Sequence, residues 1–255
     1  MKLSIRLLCS FVLLLFLLTP HLHAQRGGRG GRGTPVAPRE AAPFDLAGYW
    51  VSVITEDWKT RMVTPKKGFY TALPLNAEGR RVADTWDPAK DEAAGEQCRS
   101  YGAANIMRVP GRLHITWEND NTLRVDTDAG TQTRLFHFGG SLLATGERTW
   151  QGYSLAEWQF APGTRGNGPS RSGNLKVLTA NLRPGYVRKN GAPYSQNAMV
   201  TEYYDVNTLP NGDQFLTVTT KVDDPVYFTR PYLTSSDFKK LPDASGWNPT
   251  PCSAR

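Results

Sequence analysis

The chain has 255 residues, 30 of them basic and 23 acidic, with a formal net charge of +7. That length suits one β-rich domain with additions and is enough to bury a real core. Lys2 and Arg6 lie in a leader, and Arg26, Arg29, Arg32 and Arg39 lie in a linker with Glu40 as its one acid, so about +2 remains for the folded part and there is no electrostatic case for binding nucleic acid.

Lys2 and Arg6 precede the apolar run LLCSFVLLLFLL, and Leu22-His23-Ala24 closes the segment. A basic start, a short apolar run and a small final residue read as a signal peptide over residues 1–24, cleaved before Gln25. The run is too short for a good membrane span, so the cleaved protein is expected in the periplasm or secreted, and not membrane-spanning. An uncleaved anchor is the alternative, because Leu22 stands where a small residue is usual. Residues 25–43, QRGGRGGRGTPVAPREAAP, read as a disordered Arg/Gly/Pro-rich linker. Residues 44–255 then form a single β-rich domain.

Gly48-Tyr49-Trp50 opens the first strand, YWVSVIT. Residues 59–74 are polar and broken by Pro65, Gly68 and Pro74, which predicts loops. Asn76 caps a helix carrying Val82, Ala83 and Trp86, and Asp87 caps a second short one that Gly95 ends. Over residues 112–138, Leu113, Ile115 and Trp117 alternate with polar residues, as do Leu123 and Val125. Asn119-Asp120-Asn121 and Ala129-Gly130 supply the turns of a three-strand meander. Strands follow over 150–160 and 175–182, separated by a glycine- and proline-rich excursion. Asn190-Gly191 is a tight-turn dipeptide, and Pro210-Asn211-Gly212-Asp213 joins a hairpin of 199–206 and 214–222. A short helix is expected over 236–241. The fold class is mainly β: an antiparallel meander of eight to ten strands, with one or two short helices, closing into a barrel or strongly curved sheet. A two-sheet sandwich is the alternative.

Cys98 and Cys252 are the cysteines left after cleavage, and an even count in an oxidising compartment suggests one disulfide, with free buried thiols as the alternative. Two distant cysteines and two histidines do not make a zinc set, and no P-loop, HExxH or dinucleotide fingerprint is present. No metal and no cofactor are therefore expected.

Several segments together resemble a group of secreted bacterial β-rich proteins: Cys98-Arg99-Ser100-Tyr101-Gly102, IMRVPGRLHITWE, Thr149-Trp150-Gln151-Gly152-Tyr153-Ser154 and Val222-Asp223-Asp224-Pro225. That resemblance implies a fold and brings no activity. Gly48-Tyr49-Trp50 is separately similar to the G-x-W that opens the first strand of lipocalins, which implies an eight-stranded, lipocalin-like ligand-binding barrel.

One face of the strand at 150–160 reads Trp150, Gly152, Ser154, Ala156 and Trp158, small side chains between two indoles. Turned inward, that face would leave space walled by aromatics, suited to a small apolar or aromatic molecule; a large residue opposite would instead fill it. Trp50, Trp117 and Tyr203 are similarly placed candidates for ligand binding. His137, between Phe136 and Phe138, is a base, a ligand anchor or a hydrogen-bonded core histidine, with Glu157 and Glu202 as carboxylates that would converge on it. Three readings follow: a barrel binding a small apolar ligand, an isomerase or hydrolase using His137 with a carboxylate, and a structural envelope protein with a filled core. The oligomeric state is open.

Overall fold

A computed structural model describes residues 36–142, 146–161 and 172–255. The signal-peptide reading, the Arg-Gly repeats and the excursion at 162–171 lie outside the described residues. Strands β1 (Gly48–Val53), β2 (Arg112–Asn119), β3 (Thr122–Thr127) and β4 (Gln132–Phe138) are followed by β5 (Tyr153–Phe160) and β6 (Gly173–Ala180). A small hairpin of β7 (Gly185–Arg188) and β8 (Ala192–Tyr194) precedes β9 (Met199–Thr208), β10 (Gln214–Asp223) and β11 (Tyr232–Leu241). Nine of these close a barrel in the order β1-β11-β10-β9-β6-β5-β4-β3-β2, while β7 and β8 form a separate two-stranded sheet. Closure leaves the nine strands no open edge.

The mainly-β barrel with a few short helices is as expected, with two differences. First, β4 and β5 pair parallel, Phe136 against Ser154 and Phe138 against Ala156, so β5 enters the barrel from the same end as β4. The barrel thus has nine strands where the lipocalin resemblance implied eight. Second, residues 236–241 are strand and not helix. They alternate, with Ser236 and Phe238 buried, and pair with both β1 and β10, so two ladders override local preference. The helical content is small, as expected: among the described residues there are, besides two 3-10 turns, the short helices α1 (Pro38–Ala41), α2 (Trp58–Arg61), α3 (Ala77–Ala83) and α4 (Pro88–Ala93). The expected caps hold α3 and α4: Asn76 accepts from the Gly79 amide and Asp87 from those of Ala89 and Lys90. No helix among the described residues is long and apolar enough to cross a membrane.

The interior is built by period-two alternation. Trp50, Ile115, Leu123, Val125, Leu175, Val177, Leu216 and Val218 are shut from solvent. One end is closed by Phe44, Trp158, Phe138 and Trp117, whose successive ring centroids lie 5.5 Å apart. There the Trp158 indole donates to the Pro38 carbonyl at 2.8 Å, holding the α1 segment across the barrel mouth. The opposite end is covered by α3, α4, the β7–β8 hairpin and a second buried cluster containing Tyr70, Leu182, Val187, Tyr194 and Phe228. The barrel wall carries polar pairs such as Lys239–Asp213, Lys176–Glu157 and Arg124–Asp126.

Cys98 and Cys252 are bonded, with Cα atoms 5.1 Å apart, and tie the C-terminal tail to the capped end. A closed loop spanning 154 residues restricts the unfolded chain by about 5 kcal/mol on chain-entropy grounds. Denatured, unreduced protein should therefore show no free thiol at these positions, and Cys252→Ser should lower unfolding stability by up to about 5 kcal/mol in denaturant titration.

Candidate functional site: a cleft outside a filled barrel

Under the capped end, the barrel interior holds a charge pair. Arg134 on β4 and Glu202 on β9 have fully buried side chains and meet in a two-point contact: Nη1 to Oε1 at 2.8 Å and Nη2 to Oε2 at 2.6 Å. Thr179 Oγ1 accepts from Nη2 at 3.3 Å and exchanges a 2.7 Å hydrogen bond with Ser154 Oγ. The Tyr204 hydroxyl donates to Glu202 at 3.3 Å, and the guanidinium sits 4.8 Å from the Phe136 ring centroid. Burial by itself disfavours the cation, but the adjoining Glu202 carboxylate outweighs it and holds Arg134 above the ordinary arginine range.

This cluster occupies the space that small residues on β5 were expected to leave. Ser154 and Ala156 do point inward, yet Ser154 is bonded to Thr179. Gly152 lies before β5 with φ +62°, and a Cβ there would come within 2.4 Å of the Ala180 carbonyl oxygen. Its missing side chain therefore serves backbone approach and opens no cavity. Trp150 also precedes the strand; its indole donates to the Pro184 carbonyl at 3.2 Å, and the Arg183 guanidinium stacks on it. Trp158 and Trp117 sit in the aromatic plug, and Trp50 is core, donating to the Leu46 carbonyl at 2.9 Å. Tyr203 is on the outer wall; its neighbour Tyr204 is the tyrosine inside.

Nor are His137, Glu157 and Glu202 brought together. His137 is on the outside of the barrel, stacked on Tyr153 with centroids 4.9 Å apart. Glu157 shares that wall but pairs with Lys176 at 2.9 Å. Glu202 is on the other side of the wall, satisfied by Arg134. No hydrogen bond joins the histidine to either carboxylate among the described residues.

A better-shaped concavity lies in the cap, between α3–α4 and the β7–β8 hairpin, with a volume of about 330 Å³. Val82, Trp86, Pro184, Pro193 and Tyr227 give it apolar walls. Its polar side is a chain of bonds: the Tyr186 hydroxyl donates to Asp91 Oδ2 at 2.9 Å and accepts from Arg99 Nη1 at 3.0 Å, while Arg99 also reaches Asp91 and Glu96. Burial, reinforced by Asp91 and opposed by Arg99, pushes the Tyr186 phenol up to about 12. It is a standing donor and acceptor at neutral pH, not a base.

Two residues of the lining each have a polar atom that is shut from solvent and without a hydrogen-bond partner: the Trp86 indole nitrogen and the Tyr194 hydroxyl. Burial holds the Tyr194 phenol well above its ordinary range, so it too is neutral. Tyr194 is seated by two glycines, since a Cβ at Gly102 or Gly185 would come within 2.5 or 2.6 Å of its hydroxyl. The turn at Gly191, with φ +82°, packs directly against Trp86. Buried orphan donors are rare in folded proteins and mark places where a partner is expected.

These features define a closed nine-stranded β-barrel with a filled interior and an aromatic cleft in its cap. No family model, no curated protein and no solved structure matches this chain.

The charge pair can be checked by stability. Glu202→Gln strands Arg134 in the interior and should cost about 3–5 kcal/mol. Joining it with Arg134→Met removes the stranded charge and should recover much of that loss in chemical denaturation.

Proposed function

We propose that this protein is a secreted or periplasmic barrel that binds a small, largely apolar molecule, and that the molecule sits in the cap cleft and not in the lumen. One observation carries the reading: apolar walls, Trp86 and Tyr194 among them, and an anchored Asp91–Tyr186–Arg99 chain converge on 330 Å³ of space. That is the composition of a small-molecule site, mostly apolar surface with a few fixed polar groups, at the small end of the usual size range. The ligand class that fits is a flat molecule of one or two rings with a hydroxyl or carbonyl group. The rings would lie between Trp86 and the two prolines, and the polar group would meet the Tyr186–Arg99–Asp91 chain. The scaffold explains the rigidity: the disulfide, the α3 and α4 caps and the β7–β8 hairpin fix the cleft walls. The signal-peptide reading of the first 24 residues supports the compartment.

The test is titration of purified protein with naphthol and with its hydroxyl-free parent, naphthalene, followed by indole fluorescence. Saturable binding is expected, tighter for naphthol by about fivefold for one net hydrogen bond. Val82→Trp fills the cleft from its half-buried α3 wall and should abolish binding with stability changed by no more than about 1 kcal/mol. Saturable binding that survives Val82→Trp would place the ligand elsewhere and overturn the reading.

A further inference from the structure

A second polar concavity lies on another part of the cap, away from the aromatic cleft, and is lined by cations. Arg61 ends α2, Arg108 ends a 3-10 turn (Ile106–Arg108), and Arg188 ends β7; all three line one cavity of about 20 Å³, with Lys189 beside them. Each arginine is more than nine-tenths buried, at 6%, 6% and 4% exposure. Buried guanidinium groups in a native fold are normally saturated with acceptors. These are not.

Arg61 donates through Nε to the Arg108 carbonyl at 2.9 Å and through Nη1 to Glu56. Arg108 donates through Nη2 to Asp57 at 2.9 Å. Arg188 donates through Nη1 to the carbonyls of Phe69 and Thr71, at 3.4 and 3.1 Å. One nitrogen of each is left over: Arg61 Nη2, Arg108 Nη1 and Arg188 Nε are shut from solvent and have no partner. Among the described residues two carboxylates, Glu56 and Asp57, face three guanidinium groups, and Lys189 contacts only the Tyr101 ring, 5.4 Å from its centroid. Burial, and then the charge of nearby Arg108, press against the Arg61 cation, with Glu56 opposing them.

We infer that the Arg61–Arg108–Arg188 cavity is a binding site for a small monatomic anion, chloride being the abundant one outside the cytoplasm. Three unpaired N–H donors and an excess of positive charge require an acceptor that is also negative. A water molecule would accept from at most two donors and leave the charge uncompensated. The volume decides the class: about 20 Å³ admits little more than a water-sized particle, which suits a halide and not a tetrahedral oxyanion. Bound there, the anion would pin α2, the 3-10 turn and the hairpin strand to one another, joining three segments distant in sequence.

The experiment is thermal unfolding of the full protein in sodium chloride against sodium gluconate and sodium sulfate at equal ionic strength, with bromide anomalous diffraction from a crystal grown in sodium bromide. Chloride and bromide should raise the midpoint saturably, by about 2–4 °C at saturation for a protein of this size, and bromide should appear among the three guanidinium groups. Arg108→Gln should weaken the half-saturating chloride concentration about tenfold or more. Should that variant fail to fold, Lys189→Gln, at the cavity edge, should weaken it about two- to fivefold while unfolding normally in gluconate. Equal midpoints in chloride and gluconate, or bromide absent from the cavity, would overturn the assignment. A saturable effect of sulfate stronger than that of chloride, as distinct from the unsaturable rise an excluded salt gives, would overturn the halide class.

Discussion

The Arg134–Glu202 pair is the constraint on which the rest of the barrel depends. Two charges with no solvent contact are tolerable only if each meets the other in good geometry and the remaining polar atoms are satisfied. Here that geometry comes from β4 and β9, two strands that do not touch in the sheet order, with Thr179 and Ser154 on the intervening β6 and β5 extending the contacts and Arg134 Nε alone of the pair's polar atoms left without a partner. A slip of one residue in β4 or β9 would turn Arg134 or Glu202 to the outer wall and strand its partner inside. The pair therefore opposes wrong registers strongly, and it also fills the lumen.

A filled lumen moves function to the periphery. The barrel serves as a rigid base, and the insertions between strands carry the concave, partly unsatisfied surfaces. The segment between β1 and β2 supplies α2, α3, α4 and the 3-10 turns, and the segment between β6 and β9 supplies the β7–β8 hairpin. Both cap sites arise where those two insertions meet, the aromatic cleft at α3–α4 and the cationic cavity at α2. The Cys98–Cys252 bond fastens the first insertion to the C-terminal tail, so the cap is held covalently as well as by packing.

Much of the scaffold was legible. Alternation at 112–138 located three strands to within a residue or two, Pro210-Asn211-Gly212-Asp213 located a hairpin and Asn190-Gly191 a turn, and Asn76 and Asp87 announced their helices. The misreadings have physical causes. Residues 236–241 mix polar and apolar types in a pattern that fits a helical turn as well as a strand, and only pairing with β1 and β10 decides. The site was less legible, because period two fixes that neighbours face opposite ways but not which faces in. Tyr203 and Tyr204 exchange places on that ambiguity alone. Glu202, expected to converge on His137, instead faces inward to Arg134 and shares a face with Val200 and Tyr204; Arg134 likewise shares one with Phe136 and Phe138. Those apolar companions were the available signal. Nothing local to Trp86, Asp91 or Tyr186 revealed the cleft, since their proximity is made by folding segments about a hundred residues apart. Arg99 and Gly102 belong to the segment Cys98-Arg99-Ser100-Tyr101-Gly102, and both have structural roles at the cleft.

The most direct test of a filled barrel with an external site is a crystal structure of the protein with naphthol bound. Density between Trp86, Tyr186 and Tyr194, with Arg134 still bridged to Glu202, is the predicted result. Density inside the barrel, with that pair parted to admit the ligand, would contradict it.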